Sequence, residues 1–141
     1  MKRRQFLNDT SKAVGLLCCI PAVLSIDSCV SMSRISFEQT EHELIVLKSD
    51  ISGMSSVILD NNNLSFPVLL KKGEKGVSAL LMCCTHKQCS LKKTGQVLLC
   101  PCHRSEFDIQ GKVLKGPAIK DLQKLVVKED ELRIYIYLKQ G

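Results

Sequence analysis

Tryptophan is absent and aromatic residues make up only 4% of the 141-residue chain: two tyrosines and four phenylalanines, scattered rather than grouped. A binder of single-stranded nucleic acid needs stacking rings beside its basic residues, so the formal charge of +6 points elsewhere. Part of it is N-terminal: Lys2, Arg3, Arg4 and Lys12 precede Cys29 against Asp9 and Asp27, which leaves +4 beyond. That is mild for a nucleic-acid partner, and none is expected. Long apolar runs are also missing. The apolar stretch 13–24 would reach about 18 Å as a helix, short of the ~30 Å hydrocarbon core, and Pro21 interrupts it. No segment reads as a long amphipathic helix, and no internal repeat or low-complexity tract occurs. Neither a glycine-rich phosphate loop nor a serine-centred nucleophile elbow is present, so nucleotide-dependent and serine-hydrolase chemistry have no support. What remains is ordinary globular usage, 45% hydrophobic and 24% charged, in a length suited to one modest core.

The first 29 residues read as a targeting segment: a basic start, the apolar stretch, then small and polar residues 25–28. Arg3-Arg4-Gln5-Phe6-Leu7 resembles the twin-arginine export signal, a route that carries proteins already folded. Ile26-Asp27-Ser28-Cys29 resembles a bacterial lipoprotein cleavage site, in which the cysteine becomes the lipidated first residue, although Asp27 departs from the usual small or apolar choice. The alternative is an ordinary Cys29 beside a conventional cleavage site or a poorly formed anchor. The expectation is an exported protein on the periplasmic side of a bacterial membrane, attached through lipid at Cys29.

Residues 30–40 are polar and read as a linker, and residues 41–141 as the folded domain. Within it short apolar runs alternate with Gly, Asn, Asp and Lys clusters, an all-β pattern. Strands are expected near 43–48, 55–59, 66–71, 77–83, 96–99, 106–109, 112–115, 122–128 and 131–138. The last is clearest: Leu132, Ile134, Ile136 and Leu138 alternate with Arg133, Tyr135, Tyr137 and Lys139, as a half-buried strand requires. Turns are expected at 60–63, 72–76, 110–111 and 128–130.

Eight cysteines are the unusual count. Cys18 and Cys19 lie in the apolar N-terminal run and Cys29 at its end. Cys83, Cys84, Cys89, Cys100 and Cys102 crowd into twenty residues together with His86 and His103, and the chemistry is expected there. Cys84-Thr85-His86-Lys87-Gln88-Cys89 and Cys100-Pro101-Cys102-His103-Arg104-Ser105 each follow a predicted strand, and each offers a thiolate and an imidazole. Two Cys and two His are also a standard tetrahedral zinc set. Structural zinc sites, however, usually space their first two ligands by two to four residues, whereas Cys84 and His86 have one between them, and zinc leaves Cys89 and Cys102 without a role.

These spacings, Cys-x-His and Cys-x-x-His, resemble the paired ligand loops of Rieske iron-sulfur proteins, in which two Cys bind one iron and two His the other. The resemblance implies a Rieske-like antiparallel β-sandwich with a cluster-binding subdomain made of two loops, carrying one 2Fe-2S cluster. It places Cys84 and Cys100 on the inner iron and His86 and His103 on the outer. It also implies a disulfide between Cys89 and Cys102, which would stop the loops splaying by closing a ring worth about 3 kcal/mol in chain entropy, in a compartment where such bonds persist. Ser105 takes the family position whose hydroxyl donates to a bridging sulfide. Gly116-Pro117-Ala118 resembles the proline loop that covers the cluster's third side, the alternative being an ordinary turn. Phe107 departs from the Tyr of quinol-oxidising members, which implies a lower reduction potential. Lys87-Gln88 replaces the common Leu-Gly, and Arg104 a Gly, so the docking tip is polar and basic. Lys87, Lys92, Lys93 and Arg104 are expected to ring the histidines and favour an acidic partner, or to be solvated lysines without a specific role. Cys83 is expected to point into the core, and His42 to lie on the surface.

The implied function is one-electron transfer to or from a cytochrome or other redox protein, with no substrate bond made or broken by this chain. The alternatives are an obligate subunit of an oxidoreductase complex, of the cytochrome bc or arsenite-oxidase type, and a structural zinc module.

Overall fold

A computed structural model describes residues 35–138. The stretch read as a targeting segment, with Cys18, Cys19 and Cys29, lies outside the described residues. Eleven strands and no helix occur among those described: β1 (Glu38–Gln39), β2 (Glu43–Leu47), β3 (Ser56–Leu59), β4 (Val68–Gly73), β5 (Gly76–Leu81), β6 (Lys92–Thr94), β7 (Val97–Leu99), β8 (Glu106–Asp108), β9 (Val113–Lys115), β10 (Lys124–Glu129) and β11 (Arg133–Tyr137). All pairings between them are antiparallel, as the family resemblance implies. They form a seven-stranded sheet in the order β1-β2-β11-β10-β5-β4-β3 and a four-stranded sheet in the order β6-β7-β8-β9.

The large sheet is folded over on itself. β10 pairs with β5 only through Lys124 and Leu125, then with β11 through Val126 to Glu129, so it passes from one layer to the other along its length. Leu44 and Val46 of β2 and Ile134 and Ile136 of β11 thereby meet Leu59, Val68, Leu70 and Ala79 of the opposite layer in one buried core. A second core lies on the other face of β4 and β5, where Leu69 and Leu80 pack with Met82, Cys84, Leu91, Leu98, Cys100, Phe107, Ala118 and Leu122. This double burial explains the unbroken apolar run Val68-Leu69-Leu70: a strand covered on both faces has no solvent side on which to alternate. The second core is the platform of the loops that follow β5 and β7.

Two strands escape the sequence reading. Glu38 and Gln39, inside the stretch read as linker, pair with Ile45 and Leu44, and Ile35 and Phe37 pack against the first core beside them. β6 is Lys-Lys-Thr, which carries no apolar alternation; it is an edge strand, where charge protects against further pairing. Three predicted ends also move. Pro67 stays outside β4, since it has no N–H for the ladder, and its carbonyl instead accepts from Met82 N–H at 2.8 Å. Beyond β5 the backbone forms only an isolated bridge, Cys83 to Ser90. Leu122 precedes β10 and donates its N–H to the Gly111 carbonyl at 2.7 Å. Gly111 is buried with φ +86°, and a Cβ there would lie 3.0 Å from Leu80 Cδ2, so this turn requires glycine.

At the end of the base away from the loops, Glu129 ties both layers. Its Oε1 accepts the Val77 N–H at 3.0 Å and its Oε2 pairs with Lys48 Nζ at 3.1 Å. The Val77 hydrogen bond first, and then Lys48, hold its carboxyl below the usual carboxylate range. A depressed acid stabilises the fold above its unfolded pKa and loses that contribution as pH falls through the folded value. Glu129→Gln should therefore flatten the loss of stability below about pH 4 while lowering stability at neutral pH, read as urea midpoints across pH. An unchanged acid limb would show that Glu129 does not carry it.

Candidate metal centre

Residues 84–89 and 100–105 fold into the same turn. In each, the leading cysteine N–H donates to the carbonyl five residues on, Cys84 to Cys89 and Cys100 to Ser105, both at 2.8 Å. In each, the N–H four residues on returns to the cysteine carbonyl, Gln88 to Cys84 at 2.8 Å and Arg104 to Cys100 at 3.0 Å. The residue four on is left-handed in both, with φ +51° at Gln88 and +60° at Arg104. Strand alternation sets where the turns begin. Met82 and Cys84 face the second core, as do Leu98 and Cys100, so both thiols are carried inward with 1% exposure.

The four expected ligand residues come together in two pairs. Cys84 and Cys100 lie together in the second core. Burial raises the Cys100 thiol pKa, but hydrogen bonds from the His103 and Cys102 backbone and from Cys84 overcome it, and the net shift is downward, toward the thiolate that binds metal. The His86 and His103 rings meet edge to face with centroids 4.8 Å apart. His86 Nδ1 is buried without a hydrogen-bond partner beside the His103 ring, and an unpaired buried imidazole nitrogen suits a metal ligand. Cys89 and Cys102 are joined by a disulfide that covalently ties the two turns. Their sulfurs lie within 4.8 Å of Cys100 Sγ, yet while bonded to each other they offer no thiolate, so that trio is not a ligand set.

A third loop covers the turns. Ser105, fully buried, accepts the Ala118 N–H on its hydroxyl oxygen at 3.0 Å, which leaves its own proton to donate. The Thr85 hydroxyl donates to the Lys120 carbonyl at 2.6 Å. The Gly116–Pro117 peptide is cis. The loop 116–120 is thus bound to both turns, through Ala118 to one and Lys120 to the other. Neither tether was visible in the sequence, because a threonine or serine hydroxyl has no spacing signal for a partner 35 or 13 residues away.

Other expected positions divide. Phe107 is wholly buried in the second core. Lys87 and Arg104 are exposed on the turns beside the histidines, whereas Lys92 and Lys93 belong to the edge strand β6. His42 is on the surface, 3.9 Å from the Glu41 carboxylate. Cys83 does not point into the core: alternation that buries Met82 and Cys84 sends it to the opposite face, where it is half-buried. Partial burial first, then the neighbouring Cys84, raises its thiol pKa, so it is a poor thiolate.

Two similar turns, each presenting one thiol and one imidazole, tied by a disulfide and covered by a proline-bearing loop, define a Rieske-type centre. Residues 36–128 match the family description "Rieske [2Fe-2S] domain", and the chain belongs to that family, whose cofactor is one 2Fe-2S cluster. It is similar to the cytochrome b6-f complex iron-sulfur subunits of Prochlorococcus marinus subsp. pastoris, strain MED4, at 36% identity over 56 residues, 38% of this chain and 32% of that one, and of Prochlorococcus marinus strain MIT 9515 at 42% over 48 residues, 33% and 25%. The chain thus spans about a third of the length of the first of these relatives. Among solved structures it resembles the cyanobacterial plasma membrane Rieske protein PetC3 from Synechocystis PCC 6803, with 32% identity and a TM-score of 0.50 over 64% of this chain and 93% of that one.

Both left-handed positions carry side chains where glycine would be unstrained. A left-handed non-glycine residue costs roughly 1–2 kcal/mol, offset in part by the added chain freedom of glycine when unfolded. Gln88→Gly and Arg104→Gly should each stabilise the domain by about 0.5–1 kcal/mol in urea denaturation. Destabilisation by either would mean that the side chain makes a compensating contact.

Proposed function

We propose that the chain is an exported one-electron carrier in which Cys84 and Cys100 hold one iron of the cluster and His86 and His103 the other. The observation that carries this reading is the orphaned His86 Nδ1 on a ring packed against His103, on two turns that each bury a thiol and are joined by the disulfide. When bound, a 2Fe-2S cluster supplies one-electron redox chemistry within a broad window of about −150 to +300 mV. The residues of the chain divide the remaining work. The second core keeps water from the cysteine side, where both thiols are 1% exposed. His103, on the solvent side, gives an edge through which an electron can enter and leave. The Ser105 hydroxyl proton is free to donate toward added negative charge on reduction, and the disulfide with the third loop holds the ligands in one geometry, which keeps reorganisation small.

The partner in this reading is a cytochrome or another oxidoreductase. Export is supported by the Arg3-Arg4 motif and by a disulfide suited to an oxidising compartment. Attachment through lipid at Cys29 is supported by the residues around that cysteine. The cytochrome b6-f relatives favour a second reading, an obligate subunit of a quinol-oxidising complex. Phe107 in place of Tyr and the polar Lys87-Gln88 tip favour the carrier.

After dithionite reduction, the fragment of residues 31–141 should give a rhombic EPR signal with an average g below that of all-cysteine clusters, and about two irons per chain. One zinc and no signal would sink the redox reading. In the loaded protein, Ser105→Ala should lower the midpoint potential by on the order of 60–130 mV, the equivalent of one hydrogen bond to a charged acceptor. An unmoved potential would show that the hydroxyl proton is directed elsewhere.

A further inference from the structure

The third loop displays a side chain that electron transfer through the histidines does not use. Ile119 is 89% exposed. It is nevertheless fixed from both sides, because Ala118 N–H is bound to Ser105 of one turn and the Lys120 carbonyl to Thr85 of the other. An apolar side chain held rigidly between the two ligand turns has already lost much of the freedom that binding would cost.

The two tethers bring Ile119 near Arg104, next to Ser105, and Lys87, two residues from Thr85, with Lys120 adjoining it, and the whole loop region carries an excess of positive charge. Between residues 82 and 123 there are seven basic residues and three acidic, whereas the rest of the described chain has seven basic and nine acidic. The three acids of the loop region are occupied internally. Glu106 pairs with Lys115 at 3.3 Å, Asp108 Oδ1 accepts the Gln110 and Lys112 N–H groups, and Asp121 Oδ1 accepts that of Val113. Among the described residues no ion pair neutralises Lys87, Lys92, Lys93, Arg104, Lys112 or Lys120.

From this we infer that Ile119 and the basic residues around it are the docking face for an acidic redox protein, one with an apolar depression rimmed by carboxylates. Ile119 sets the docked orientation, and the basic rim sets the encounter rate. The first turn, which presents Lys87-Gln88, has no apolar side chain of its own for this role. A membrane-inserting tip needs a row of large apolar side chains. Here Ile119 stands between Gly116-Pro117-Ala118 and Lys120, so a protein surface is the better fit. The inference rests on the electron-carrier reading and adds the class of partner and the residue that selects it.

The test uses the full-length reduced holoprotein with two oxidised acceptors, acidic plant plastocyanin and basic mitochondrial cytochrome c, in stopped flow across ionic strength. The rate on plastocyanin should fall about tenfold or more from roughly 10 to 300 mM salt, and that on cytochrome c should not fall. Ile119→Ser should slow plastocyanin reduction about fivefold at every salt concentration, with the EPR spectrum, potential and salt slope unchanged. Lys87→Gln with Arg104→Gln should reduce the slope, and Leu132→Ser, in the β10–β11 turn, should change neither. A rate on plastocyanin that rises with salt, or Ile119→Ser within twofold of the parent, overturns the inference while the carrier survives. Binding to phosphatidylglycerol vesicles that Ile119→Ser abolishes would assign the face to lipid and overturn it too. If an EPR-competent holoprotein reduces neither acceptor, the carrier reading itself falls and takes the inference with it.

Discussion

Two turns without regular secondary structure can bring the four proposed ligand side chains together only if packing has already fixed the points at which the turns begin. Here the fixing comes from hydrophobic alternation carried past the ends of strands. Leu80, Met82 and Cys84 face the second core from one side, and Leu98 and Cys100 from another, so each thiol is the last inward position of its run. The β4–β5 hairpin is buried on both faces and gives that core its floor while serving the first core as a wall. The inner half of the site is thus set by the same burial that stabilises the fold, at about 25 cal/mol per Å² of apolar surface removed from water.

The imidazole half has no such support, since His103 is exposed and His86 only half-buried. Polar and covalent ties replace packing there: the disulfide, the paired backbone hydrogen bonds of the two turns, and the hydroxyls of Thr85 and Ser105 reaching the third loop. These ties also account for the left-handed Gln88 and Arg104. A conformational cost of roughly 1–2 kcal/mol at each persists only where the surroundings over-determine the backbone. Both turns are closed at both ends by hydrogen bonds of 3.0 Å or less. What the side chains provide in return is polarity and positive charge beside the histidines.

Most of the sheet and the two turns were legible in the sequence because period-two alternation and the Cys and His spacings are local signals. Leu132 to Leu138 shows the limit even there: the alternation is as read, but β11 begins at Arg133 and leaves Leu132 72% exposed in the turn. Strand alternation also gives Cys83 the face opposite Cys84, and the expectation of a core position failed by weighing residue type above register. β1 and β6 were invisible because their residues are polar and their pairing is decided by neighbours distant in sequence. The tethers of the third loop, and with them the fixed position of Ile119, depend on hydrogen bonds across 13 and 35 residues that no local pattern encodes.

Phe107 connects stability to redox properties. It is the largest of the fully buried side chains among the described residues and sits in the second core beneath the turns. A tyrosine in that place would bring a hydroxyl needing a buried partner, whereas phenylalanine packs without that demand. On the proposed reading the chain keeps one hydroxyl at the site, that of Ser105, where the family resemblance implies two in quinol-oxidising members. A hydrogen bond to a charged acceptor contributes about 1.5–3 kcal/mol. The exposed Lys87 and Arg104 act in the opposite sense by favouring the more negative reduced state, but solvent-exposed charges contribute at most about 1 kcal/mol and are screened by salt. On the electron-carrier reading, the missing hydroxyl outweighs the added cations, and a lower reduction potential is expected in spite of the basic residues beside the histidines.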